Sequence, residues 1–183
     1  MTTDTQDARE PGLLPDARLM ARGLAALRIF FGVILFANGV AKLFEFRTIE
    51  IGPWKTFLIN KEGARNVLEF EVNKRGGDGT DVPLLKSIVN DVMLPNWDVV
   101  QWLITAVELG AGLALILGLA SRLAALVDLG QQLFLALVYL SSSRWMFEQP
   151  HEWVPLIILA LVPSGRVWGL DGRLWLRTRR WPF

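Results

Sequence analysis

Glu108 stands in the run "VVQWLITAVELGAGLALILGLA" (99–120), where every neighbour except Gln101 and Thr105 is apolar or glycine. A charged side chain at the centre of a bilayer costs ~3 kcal/mol or more on insertion scales. Such a carboxyl must therefore be paired, hydrated or protonated. Gln101, Thr105, Glu108 and Gly112 step by three or four and share one face of a helix. A second stripe runs through "LRIFFGVILFANGVAKLFEF" (27–46). There Arg28, Gly32, Leu35, Gly39 and Lys42 fall within ~40° of one line, with Asn38 one turn before Lys42. A third run, "RLAALVDLGQQLFLALVYL" (122–140), adds Asp128, Gln131 and Gln132.

Counting along these runs assigns partners. Arg28 and Asp128 each lie about six residues, roughly 9 Å, from the same edge of the membrane, so an ion pair between them is expected. Glu108 falls near mid-membrane, level with Leu35 and Asn38. Lys42 falls near the opposite surface, where it can snorkel. No cation then stands at the depth of Glu108, and a desolvated carboxyl that keeps its proton suits proton exchange with a bound ligand. The plainer alternative makes Glu108 a support of the fold and Arg28–Asp128 a clamp that holds helices in register.

The elements that must position these residues are helices in a membrane. The chain has 183 residues, 52% of them hydrophobic, and a mean hydropathy of +0.35, too apolar for an ordinary soluble domain. Four apolar segments are expected to span, about 22–46, 99–120, 122–140 and 152–170, since a crossing needs roughly 20 residues. The fourth has a continuous apolar core of only Trp153–Val162 and crosses only with its tryptophan-rich flanks in the interfaces. Together these predict an all-α, integral-membrane four-helix bundle. Residues 1–21 read as a mobile leader, 22–170 as the membrane domain with a long outer loop at 47–96, and 171–183 as a basic tail. In the loop, "GARNVLEFEV" and "VPLLKSIVNDVMLPNW" have helical spacing of apolar residues, while Asn73–Asp81 reads as a flexible tip. These pieces are expected to lie over the outer mouth of the bundle.

Arg9, Arg18 and Arg22 precede the first segment, Arg122 sits between the second and third, and Arg166, Arg173, Arg177, Arg179 and Arg180 follow the fourth core. The short loop before the fourth segment has only Arg144. The positive-inside rule then puts both termini in the cytoplasm. Trp97, Trp102, Trp145, Trp153, Trp168 and Trp175 fall near segment ends, as interfacial aromatics do.

What is missing also narrows the chemistry. There is no cysteine, which excludes thiol redox chemistry, disulfides and iron–sulfur ligation from this chain. His151 is the only histidine, so neither a bis-histidine haem nor a His-rich metal site is expected from this chain alone. It reads as an interfacial residue rather than a proton acceptor. A net charge of +1 gives no footprint for nucleic acid.

"RIFFGVILFANGVAKLF", "ELGAGLALILGLASRLAAL" and the closing "GRVWGLDGRL" together resemble the DoxX/DoxD family of small four-span bacterial membrane proteins. The W-G-L-D ending and long first outer loop are more similar to the DoxD side, the small subunit of thiosulfate:quinone oxidoreductase. That resemblance implies a quinone-interacting subunit in the bacterial inner membrane, beside a second oxidoreductase subunit or another protein partner. It makes quinone the cofactor to expect; the inward-facing polar residues Asn38, Lys42, Glu108 and Gln131 are the candidates to bind it, with Glu108 as the proton-exchanging group. The rival reading is a non-catalytic scaffold that recruits redox or stress-response partners.

Overall fold

The computed structural model describes residues 16–73, 80–140 and 145–183. Most of the leader, the tip of the long loop and Arg144 lie outside the described residues.

The first helix, α1 (Ala17–Phe44), begins earlier than the sequence suggests. Asp16 caps it, its Oδ1 accepting from the Arg18 amide at 2.8 Å, which satisfies one of the free donors of a helix start. Residues 17–21, expected in the leader, are thus its first turn. The buried face of α1 carries Arg28, Gly32, Leu35, Gly39 and Lys42, the predicted stripe. Phe30, Val33 and Ile34 are exposed, and Ile29 and Phe36 are half-buried.

The chain leaves α1 through Glu45, in the left-handed region at φ 56°. It then forms a hairpin of β1 (Thr48–Ile51) and β2 (Trp54–Phe57), paired antiparallel with Ile51 opposite Trp54. The hairpin turns at Gly52, whose φ of 58° suits a residue without a side chain. Sequence periodicity gave no sign of it, because four-residue strands are too short to show alternation. Two helical pieces follow, α2 (Lys61–Asn73) and α3 (Leu85–Ser87), the latter continuing as a π-helical stretch, Ile88–Met93. They pack Leu68, Val72, Leu85 and Val89 against Trp97 and Val138 at the loop-side ends of the next two helices. The expected amphipathic cover is present, and Trp97 belongs to its core rather than to a membrane interface.

Helix α4 (Trp97–Leu117) returns antiparallel to α1, and small residues let the two touch along their backbones. A Cβ on Gly112 would stand 2.5 Å from the Phe36 nitrogen, and one on Gly32 2.8 Å from the Ile116 nitrogen. A tight turn through Gly118 (φ 60°) and Ala120 (φ 46°) leads into α5 (Ser121–Tyr139). Among the described residues three helices, α1, α4 and α5, are long and apolar enough to cross a bilayer, and the protein is a multi-pass membrane protein with lipid-facing apolar surface.

The fourth apolar segment is shorter than the others. Helix α6 (Pro150–Leu161) has 12 residues, about 18 Å of rise, against a hydrocarbon core of ~30 Å. It lies along α5, and Leu156, Leu159 and Ala160 join Leu35, Ala111, Leu115, Ala124 and Ala125 in the main core. Beyond it the chain is extended at Val162, makes a 3₁₀ turn at Ser164–Arg166 and ends in α7 (Asp171–Thr178). The predicted segment 152–170 is therefore a short helix followed by a folded connector. We call the end of the bundle carrying α7 the tail side and the opposite end the loop side.

Candidate functional site

The antiparallel register of α1 and α4 sets Gly39 against Leu109, which brings Lys42 to Glu108. Lys42 Nζ is 2.8 Å from Glu108 Oε2 and donates to Oε1 at 3.0 Å. The two side chains are 3% and 9% exposed. Gln131 of α5 donates from Nε2 to the same Oε1 at 3.3 Å. Lys42 also donates to the Ile59 carbonyl at 2.8 Å, and Asn38 Oδ1 accepts from the Ile59 amide at 3.1 Å. Asn38, Lys42, Glu108 and Gln131 thus form one knot around the buried Lys42–Glu108 pair, and it also fastens the segment after the hairpin.

This corrects the expectation that no cation stands at the depth of Glu108. Counting from segment ends placed Glu108 level with Asn38 and left Lys42 free to snorkel. The glycine-mediated register instead puts Glu108 between the levels of Asn38 and Lys42, within reach of the long lysine side chain. A buried carboxylate beside a buried ammonium avoids the large penalty of an isolated charge.

The expected Arg28–Asp128 pair does not form. Arg28 is fully buried, but it reaches toward the tail side. It donates from Nη1 to the Leu115 carbonyl at 2.8 Å, and from Nη2 to the Val167 and Trp168 carbonyls at 3.3 Å each. The carboxylate acting on its charge is Asp171. Asp171 accepts from the Ala120 amide at 2.6 Å, the Ser121 amide at 2.9 Å and Ser121 Oγ at 2.6 Å, closing the start of α5. Gly118, Gly165 and Gly169 are all needed at this crossing, because a Cβ on any of them would collide with Arg28, Asp171 or backbone. The depth count took no account of the connector, which folds back beneath the α4–α5 turn and offers carbonyls that a guanidinium can share. Asp171, assigned to the basic tail by sequence, is a structural residue of the bundle; the closing "WGLD" was the signal for it.

A third polar group lies on the loop side. Lys61 pairs with Glu45 at 2.6 Å and stands 3.8 Å above the centre of the Trp102 ring, tying α2 to α1 and α4. Asp128 takes part in none of these groups.

Between α4 and α5 an apolar groove of about 360 Å³ opens toward the lipid, lined by Ala106, Val107, Gly110, Ala114, Leu123 and Val127 among others. Val127, at one end of the groove, is one turn before Gln131 on α5; the knot residues themselves are not part of the lining. No group of metal-ligating side chains occurs among the described residues.

Residues 70–140 match the family model described as DoxX. The match runs from the end of α2 through α5 and holds Glu108, Asp128 and Gln131, while Asn38, Lys42 and Asp171 lie outside it. No curated protein and no solved structure matches the chain.

Proposed function

We propose that the protein is a quinone-interacting subunit of a membrane oxidoreductase, with its head-group site at the Asn38–Lys42–Glu108–Gln131 knot. The observation that supports this reading is an apolar groove between α4 and α5 whose lining ends at Val127, one helical turn from the Gln131 side chain that donates to Glu108. A quinone has two needs that these features answer. Its isoprenoid tail needs apolar surface open to the bilayer, and its ring oxygens need donors, here the Gln131 amide and the Lys42 ammonium. Glu108 would hold or release a proton beside the ring. A second subunit would bring electrons, and thiosulfate is the donor to try first. Both termini would lie in the cytoplasm of a bacterium, on the inner membrane, as the arginines of the tail side favour.

A photoactivatable quinone analogue, added to the full chain in lipid nanodiscs, tests the reading. Label is expected on α4 or α5, with Gln131→Leu and Ala114→Trp each removing most of it at unchanged folded yield. Equal labelling of all three proteins would overturn it.

One observation favours the rival scaffold. Lys42 is already engaged by Glu108 and the Ile59 carbonyl, so the knot is also complete as a brace. A chain that captures soluble partners without binding the analogue would support that reading.

A further inference from the structure

Asp128 is 0% exposed and neither carboxyl oxygen completes a hydrogen bond, although the side-chain amide of Gln132 stands close enough to act on it. One turn farther along α5, Gln132 Oε1 is also buried without a partner. The buried cations of α1 are committed elsewhere: Lys42 to Glu108 and Ile59, Arg28 to the tail-side carbonyls. Arg122, on α5 itself, gives its Nε to the Ala160 carbonyl at 3.0 Å. The charged groups that act on Asp128 are Glu108 of α4 and Glu152 in the first turn of α6, both acidic. His151 faces outward beside Glu152, its Nδ1 3.2 Å from the Phe147 carbonyl.

An ionised carboxylate only accepts hydrogen bonds, and a buried one without a completed hydrogen bond or a cation carries a heavy desolvation penalty. A carboxylic acid has an O–H to give. Residues four apart on a helix are neighbours, so that O–H has an acceptor waiting in Gln132 Oε1. Protonation therefore satisfies two orphaned groups at once. Since Arg122 reaches Ala160, antiparallel counting sets the Asp128–Gln132 turn against the first half of α6, which carries Glu152.

We propose that Asp128 is a proton-holding site of the bundle: its carboxylic O–H donates to Gln132 Oε1, and its proton exchanges with loop-side water by way of the Glu152 carboxylate. In that exchange the proton leaves the Asp128 oxygen, is taken by a Glu152 oxygen and passes to water, with no electron transferred. The site stands whether or not a quinone binds at the neighbouring knot.

Infrared spectroscopy of the full chain in nanodiscs, with no quinone added, reads the proton directly. At neutral pH the wild type minus Asp128→Asn difference is expected to contain the carbonyl stretch of a protonated carboxyl. Gln132→Leu keeps the acid but removes its acceptor, so the band should move to higher frequency. In Glu152→Gln the shift of the band after transfer to heavy water should be several-fold slower. A difference spectrum without the band, or a band that Gln132→Leu leaves in place, overturns the protonated acid. An exchange rate unchanged in Glu152→Gln overturns the route. Should Asp128→Asn fail to fold, the Gln132→Leu band position decides alone.

Discussion

Lys42 and Glu108 approach to 2.8 Å in the loop-side half of the bundle, each less than a tenth exposed. The pair joins α1 to α4, and its value is best measured by breaking it.

Removing one partner of a buried pair typically costs ~3–5 kcal/mol, because the other charge is left uncompensated. Lys42→Met and Glu108→Gln should each lower the yield of monodisperse protein in detergent. Lys42→Met combined with Glu108→Leu should recover much of the loss. A double variant no better than the singles would show that the two charges act independently.

Gly112 and Gly110 are two positions apart on α4, yet only one of them is in contact. A Cβ at Gly112 would press on the Phe36 backbone, whereas nothing lies within 4 Å of one at Gly110. Overpacking costs about 1–3 kcal/mol, and glycine in a helix interior costs about 1 kcal/mol relative to alanine. Gly112→Ala should lower the thermal midpoint in detergent and Gly110→Ala should leave it unchanged or raise it.

Asp171 accepts three hydrogen bonds at the start of α5 and lies beside the Arg28 charge. Loss of a helix-capping side chain alone typically costs ~1 kcal/mol, and here a buried guanidinium loses its counter-charge as well. Asp171→Ala should destabilise more than Asp171→Asn, which retains an acceptor oxygen. Proteolysis or thermal unfolding of the purified variants gives the order.

The proposed orientation, with both termini inside, rests on the tail-side arginines. A cysteine at Lys55, on the exposed hairpin, should react with an impermeant maleimide added outside intact spheroplasts. One at Thr178 should react only after lysis. The opposite pattern would invert the protein and put the knot on the cytoplasmic side.

The buried stripes of α1 and α4 were legible because helical periodicity alone decides which residues share a face. Arg28, Gly32, Leu35, Gly39 and Lys42 all turned inward as the spacing required. The pairing of the charges was not legible. It depends on the register between helices, which the contacts of Gly32, Gly39 and Gly112 set, and counting from assumed membrane edges misplaced it by about a turn. Residue types showed that Asp128 and Arg28 needed partners but could not show that the Gly165–Asp171 connector folds back to serve Arg28. The hairpin was invisible because its residues are largely exposed and bury no face that would impose a pattern.

Ile59 is held at both poles of its backbone by the first helix: Asn38 takes its amide hydrogen and Lys42 grips its carbonyl. The same ammonium answers Glu108. A single cation therefore serves as latch for the chain after the hairpin and counterweight for the carboxylate, so a substitution at Lys42 removes both contacts at once.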